Sequence, residues 1–292
     1  LILTIEQSGE EEKKIEQKKK KANELKEKSE QAKRITNNLA KHILSFARKP
    51  ELDELPRYFK SQLEKAGITY RSAFSAASQI LTEDQLKAAV SIKKEQLTLF
   101  FAMHFFSGRT KYQSLSKSLQ KDIRLHFGSK KSAELTAKEL LFSLGKEELI
   151  YQDCIQSEQM NLGYVVDGKF SFQFKNLKKL PLRLRGVMSI AERLAGTVED
   201  ANIIRIHIET KKVTYLTVSD FETSPLPRIL KRSIVDFRLH EVKNILHDQD
   251  GRVKTLYQKS SLMHPKDKNF NIQKAFDNLI LKESGLNFSG EG

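Results

Sequence analysis

Two runs of lysine and arginine carry most of the chemistry open to this sequence. Between Arg109 and Lys131 stand seven cations, Arg109, Lys111, Lys117, Lys121, Arg124, Lys130 and Lys131, against the single acid Asp122. Lys175, Lys178, Lys179, Arg183 and Arg185 then fall within eleven residues that contain no acid. Cations clustered without compensation attract phosphate oxygens, and contacts of that kind fix the position of a nucleic acid without reading its sequence. Lys130 and Lys131 also follow Gly128-Ser129 at an expected helix N-terminus, where free backbone N–H groups add to the pull on a phosphate. The plainer alternative for either run is a solvated face that happens to be basic.

The whole chain has the same sign. Its 292 residues carry 51 Lys and Arg against 37 Asp and Glu, a net charge of +14, and such a field steers polyanions toward the surface. DNA is the first partner this implies and an anionic membrane surface the second, while an acidic protein partner would answer to the same charge. No apolar run approaches the roughly 18 residues that span a bilayer, so no membrane segment is expected. The single cysteine, Cys154, rules out an internal disulfide or a cysteine-based zinc site and fits a reducing cytoplasm.

Other chemistries lack their residues. None of the thirteen glycines sits in a G-x-G-x-x-G or G-x-x-x-x-G-K arrangement after a strand, and no serine elbow, H-E-x-x-H helix or Cys-His pair is present. No cofactor, metal or catalytic residue is therefore assigned within the chain. Glu199, Asp200, Asp220 and Glu222 flank the two strands of an expected hairpin and could gather as a carboxylate cluster, although acids at strand ends are more often solvated caps. His42 and His104 occupy apolar helices and read as core or boundary residues, His207 on the strand Asn202–Ile208 is left unassigned, and His240, His247 and His264 show no partner pattern.

The elements that position these residues read as an α+β protein: a tandem helical repeat of two three-helix units, then a small α+β domain with a mainly antiparallel sheet. Leu1–Ile5 has the look of a buried strand whose sheet would lie in an upstream domain. Residues 10–34, with ten Lys and Arg against seven Glu, make a helical or partly disordered linker, so that 1–34 forms the end of an upstream domain plus a charged connection. Residues 35–150 are helical, and the stretch from Leu39 to Phe74 recurs from Phe101 to Leu135. Each copy has a helix bearing a His, a basic turn (Arg48-Lys49-Pro50; Gly108-Arg109-Thr110), a helix opening near Pro56 or Ser116, a breaking glycine (Gly67; Gly128) and a third helix opening with Ser-Ala. Ser114 and Ser116 are suited to capping.

Residues 160–285 make the α+β domain. Tyr164–Val166 and Phe170–Phe174 flank the tight-turn dipeptide Asp167-Gly168. Lys175–Ala195 reads as a helix opened by Pro181, with Gly186 and Gly196 as weak points. Asn202–Ile208 and Val213–Val218 form a hairpin around Lys211-Lys212, closed by Asp220-Phe221-Glu222 and by Pro225 and Pro227. Ser233–Lys243 and Arg252–Tyr257 read as further strands, Asn271–Leu281 as a last amphipathic helix and Asn287–Gly292 as a frayed end.

Two stretches go further than the physics. GRTKYQSLSKSLQKDIRLHFGSKKSAELTAKELLFSLGKEELIYQDC (Gly108–Cys154) and ANIIRIHIETKKVTYLTVSDFETSPLPRIL (Ala201–Leu230) resemble the region after the catalytic domain in the methyltransferases associated with DNA phosphorothioation. Leu1–Thr4 (LILT) is similar to the last strand of that family's S-adenosylmethionine domain. The resemblance implies a bacterial protein tied to DNA backbone sulfur modification and its restriction systems, with S-adenosylmethionine bound by an upstream domain and no cofactor in this chain. It implies DNA, or proteins of such a system, as partners. The chain departs from the family pattern at Leu226, where a histidine is expected between the prolines, and over Arg252–Ser261. The reading is an accessory region that places DNA phosphates, with a protein-interaction scaffold as the alternative.

Overall fold

Glu–Lys pairs followed by apolar residues at every fourth position build one long helix at the start of the chain, α1 (Ile2–Phe46). The computed structural model describes residues 2–106, 111–196, 198, 200–247 and 254–284. The opening apolar run, expected as a strand, belongs to α1 from Ile2 onward. A run so short has no period that separates strand from helix, and the helix-forming Glu, Lys and Gln that follow extend back through it. The charged stretch expected as a linker is likewise helical, with residues 26–30 exposed. Further along, Ile35, Leu39 and Ile43 turn one face of α1 into a core.

The chain forms two compact units, Leu1–Leu97 with Thr110–Lys130, and Thr98–Arg109 with Lys131–Gly292. In the first, α2 (Arg57–Ala66) and α3 (Tyr70–Gln79) close on the end of α1 around the fully buried Phe59. The first unit also takes in the start of α4 (Glu83–His104) and α5 (Lys117–Phe127). The repeat is present in the element order: Gly67 and Gly128 end α2 and α5 with φ of 65° and 75°, a left-handed backbone that glycine adopts at least cost. Ser116 caps α5, its Oγ accepting from the Leu119 N–H at 3.2 Å, whereas the Ser114 hydroxyl donates to the Lys111 carbonyl. Pro56 stands at the N-cap of α2. Ala73 and Ala77 on α3 are buried, as are Ala133 and Ala137 at the matching places on α6 (Lys130–Leu144).

The second unit is a meander of antiparallel strands in sequence order, β1 (Gly163–Val166), β2 (Lys169–Gln173), β3 (Ile203–His207), β4 (Lys212–Ser219), β5 (Arg228–Asp236) and β6 (Glu241–Leu246), with β7 (Lys254–Thr255) also paired to β5. Asp167 and Gly168, both at positive φ, make the expected tight turn between β1 and β2. One face packs on α7 (Glu147–Gln159) and α8 (Leu182–Ala195) through Phe170, Phe172, Ile204, Val213 and Tyr215. Part of the other is covered by Phe221, Leu256 and Leu262 over Ile203 and Leu216. The last helix, α9, runs Phe270–Ser284, and Asn287–Gly292 lies outside the described residues.

Three expected elements differ. Ser233–Lys243 is two strands, because the Asp236 carboxylate accepts from the backbone N–H of Arg238 and Leu239 and folds the chain back without glycine or proline. Lys175–Ala195 is split: Pro181 holds Leu180 extended, so Phe174–Lys179 forms a 3₁₀ turn and α8 begins at Leu182. Within Arg252–Tyr257 only Lys254–Thr255 is a described strand, residues 252 and 253 lying outside the described set. Gly196 ends α8, while Gly186 sits inside it where a Cβ would meet the Leu144 side chain at 3.1 Å.

Cys154 is fully buried in the main core, and burial pushes its thiol up to about 12. It is expected to resist iodoacetamide in the native protein at neutral pH and to react once urea unfolds the second unit, as mass spectrometry of the alkylated chain would read. Rapid native alkylation would show that this core opens.

Candidate nucleic-acid interface

The α5 helix has two faces of opposite character. Asp122, Ile123 and His126 are buried. Lys117, Lys121 and Arg124, at spacings of four and three, lie within an arc of about 60° on the opposite side at ~100° per residue. Lys117 and Arg124 are exposed, and Lys121 Nζ lies 2.5 Å from Glu51 Oε2 in a half-exposed pair. A pair so placed is screened by water and exchanges readily for another anion. Lys111 is exposed just before α5, in a segment tied to the helix by the Tyr112 hydroxyl on the Gln120 carbonyl (3.2 Å) and Gln120 Nε2 on the Leu115 carbonyl (2.8 Å).

A buried ionic hub fixes that helix. Arg48, just past the end of α1, donates from Nε to Asp122 Oδ1 at 2.7 Å and from its two Nη atoms to the two oxygens of Glu54, each at 2.7 Å. Its Nη2 also donates to Ser118 Oγ at 3.0 Å. Lys93 of α4 meets the second Asp122 oxygen at 2.9 Å. The forked contact matches a guanidinium to a carboxylate in one orientation only, which an ammonium cannot do. It also explains the lone acid of the first basic run: Asp122 faces inward, and the outward face of α5 is left without one. The hydrogen bonds from Arg48 hold the Glu54 carboxyl down at about 2, against an ordinary value of 4.5.

The remaining sequence-selected cations divide. Lys130 and Lys131 open α6, Lys130 half-buried and Lys131 exposed; the unit boundary falls between them. Arg109 lies outside the described residues. In the second unit Lys175, Lys178 and Lys179 are exposed on the 3₁₀ turn Phe174–Lys179. Arg183 is turned inward, its Nη2 2.5 Å from Oδ1 of the buried Asp153, and ties α8 to α7; Arg185 is half-buried.

Sequence reading missed a further set. The register puts Lys169, Arg205, Lys212, Arg232 and Lys243 on one face of the sheet with the acids Asp236 and Glu241. Arg205, only 7% exposed, donates from Nε to Ser171 Oγ at 3.1 Å, and Lys212 meets Asp236 at 2.9 Å. These cations come from five different strands, so only strand alternation combined with pairing could have found them. Lys259, 5% exposed, donates to the Ser224 carbonyl at 2.8 Å beneath the Phe221 ring. Burial lowers its pKa, opposed by Glu222 and Asp277, and its contacts pin the acidic exit loop of the β3–β4 hairpin. Asp220 there is a turn residue whose carbonyl accepts from Ser224 at 2.8 Å; Glu199 lies outside the described residues.

Compared with protein-family models, curated proteins and solved structures, the chain finds no match. Among the described residues no helix is long and apolar enough to cross a membrane.

Replacing Arg48 by Ala is expected to destabilise the first unit by about 3 kcal/mol, since it leaves the Glu54 carboxylate without its cation and the buried Asp122 with Lys93 alone. Lys at this position should recover only part of that loss. Because the folded-state pKa of Glu54 is lowered, its contribution is complete above the free value of 4.5 and is lost as pH falls toward about 2. Urea midpoints measured across pH 2–6 should therefore drop on acidification, and more shallowly in Glu54→Gln. An unchanged slope in that variant would remove Glu54 from the account.

Proposed function

We propose that this chain is an accessory, DNA-interacting region of a methyltransferase associated with DNA phosphorothioation, placing the DNA backbone for chemistry carried out elsewhere. The observation that carries the DNA part is the outward face of α5, where Lys117, Lys121 and Arg124 stand at helical spacing on a helix whose one acid is turned inward to Arg48. A rigid helix sets the Cα positions of these cations in a row that can meet successive phosphates, and contacts of this kind position a duplex rather than read it. Lys175, Lys178 and Lys179 give a second exposed set, in the other unit. The tie to backbone sulfur modification rests on the resemblance over Gly108–Cys154 and Ala201–Leu230. Methyl transfer is not proposed for this chain.

A second reading, a protein-interaction scaffold, is favoured by β6. Among the described strands it pairs only with β5, and it carries exposed Val242 and Leu246 beside an open row of backbone groups. Such an edge can accept a strand from a partner.

Fluorescence anisotropy of the full chain with a labelled duplex, with and without backbone sulfur, over a salt series tests the first reading. Binding should weaken steeply with salt. The triple change Lys117→Ala, Lys121→Ala, Arg124→Ala should lower the slope of log K on log salt by about 2.7, at ~0.9 per phosphate contact. Tighter binding to the sulfur-containing duplex would support the tie to phosphorothioation, and equal binding would remove it. No binding at low salt would overturn the DNA reading and leave the scaffold.

A further inference from the structure

In the second unit the C-terminal end of α6, the first turn of α7 and the last turns of α8 stand over the β3–β4 turn and enclose a cavity of about 640 Å³. Leu144, Ile150, Val187, Ile190, Ile206 and Phe237 make its wall. Ile150, Val187 and Ile206 belong to the main core, so that wall is carried on packed helices and a paired strand rather than on loops. The size falls in the range of about 300–1,000 Å³ usual for small-molecule sites, which combine an apolar lining with a few polar groups.

The charged groups of the lining are of one sign, and two histidines, His207 and His240, line it beside them. Arg193 and Lys211 line the cavity, and among the described residues that line it none is acidic. Arg193 Nη2 donates to the Phe106 carbonyl at 3.1 Å, which occupies one of the five N–H donors of a guanidinium. Lys211 Nζ lies 3.6 Å from Glu147 Oε1, both side chains half-exposed, a separation and exposure at which an ion pair contributes little. Exchanging that partner for another carboxylate therefore costs little. An apolar chamber with a cationic rim matches one ligand chemistry, an apolar tail ending in an anion. We propose that this cavity binds a small amphiphilic carboxylate, with the acyl chain against Ile190, Val187 and Phe237 and the carboxylate between Arg193 and Lys211. The assignment does not depend on the DNA reading, whose cations lie elsewhere.

Isothermal titration of the full chain with decanoate, below the concentration at which it forms micelles, reads the site directly, with 1-decanol as the uncharged counterpart. Saturable binding of one decanoate per chain is expected. Ile190→Trp, which fills the chamber, should weaken it at least about tenfold. The more exposed Leu194→Trp serves the same purpose if the first variant does not fold. Arg193→Gln with Lys211→Gln should weaken decanoate about tenfold and leave decanol unchanged. The proposal is overturned by an absence of saturable binding, by a folded tryptophan variant that binds as the parent does, or by decanol binding as tightly as decanoate.

Discussion

The guanidinium of Arg48 is the point on which the first unit turns. It sits where α1 has just ended and reaches Glu54 before α2, Asp122 and Ser118 on α5, and, through Asp122, Lys93 on α4. Apolar burial is non-directional, and a directional polar contact adds a constraint on helix rotation that it does not supply. Four polar side-chain atoms around one planar cation supply that constraint, because each displaced hydrogen bond leaves a charge partly removed from water. The rotation of α5 follows, and so does the side on which its lysines and arginine emerge.

The charge of the chain is thereby sorted rather than merely abundant. In the first unit, Asp122 and Glu54 are used inward on Arg48, while the cations of α5 at spacings of four and three are left outward, Lys121 in a half-exposed pair with Glu51. The second unit sorts differently: its pleat sends Phe170, Ile204 and Tyr215 to one side, and Lys169, Arg205 and Lys212 to the other, where Asp236 and Ser171 already engage two of them. Cations in such a web order the sheet as much as they meet a partner. The loosely held ones, on α5 and on the 3₁₀ turn before Pro181, are the better phosphate ligands. The rim of the α8 cavity adds two more with a different surrounding, apolar on one side and open on the other.

How much of this was legible follows from the range of each signal. Local signals read well: Gly67 and Gly128 as helix ends, Ser116 as a cap, Asp167-Gly168 as a turn and the alternation of β3 and β4 all act within a few residues. The α+β class and the repeat follow from their sum. Leu1–Ile5 misled because five residues, four of them apolar, have no period. Ser233–Lys243 misled because Asp236 makes its turn with a side chain, in a sequence that keeps alternating through it. The basic runs were visible as composition, yet Arg183 and Lys121 have acidic partners 30 and 70 residues away, and no local pattern announces such a pair. Arg48 was read only as part of a basic turn, since its role depends on Glu54 and Asp122 arriving together.

Lysine footprinting tests the central claim most directly. The full chain would be acetylated briefly with and without a saturating duplex, and each lysine quantified by mass spectrometry. The account predicts protection of Lys111, Lys117 and Lys121, with Lys28 on α1 and Lys87 on α4 unchanged as exposed controls. Equal protection of all exposed lysines, or protection that spares α5, would contradict it.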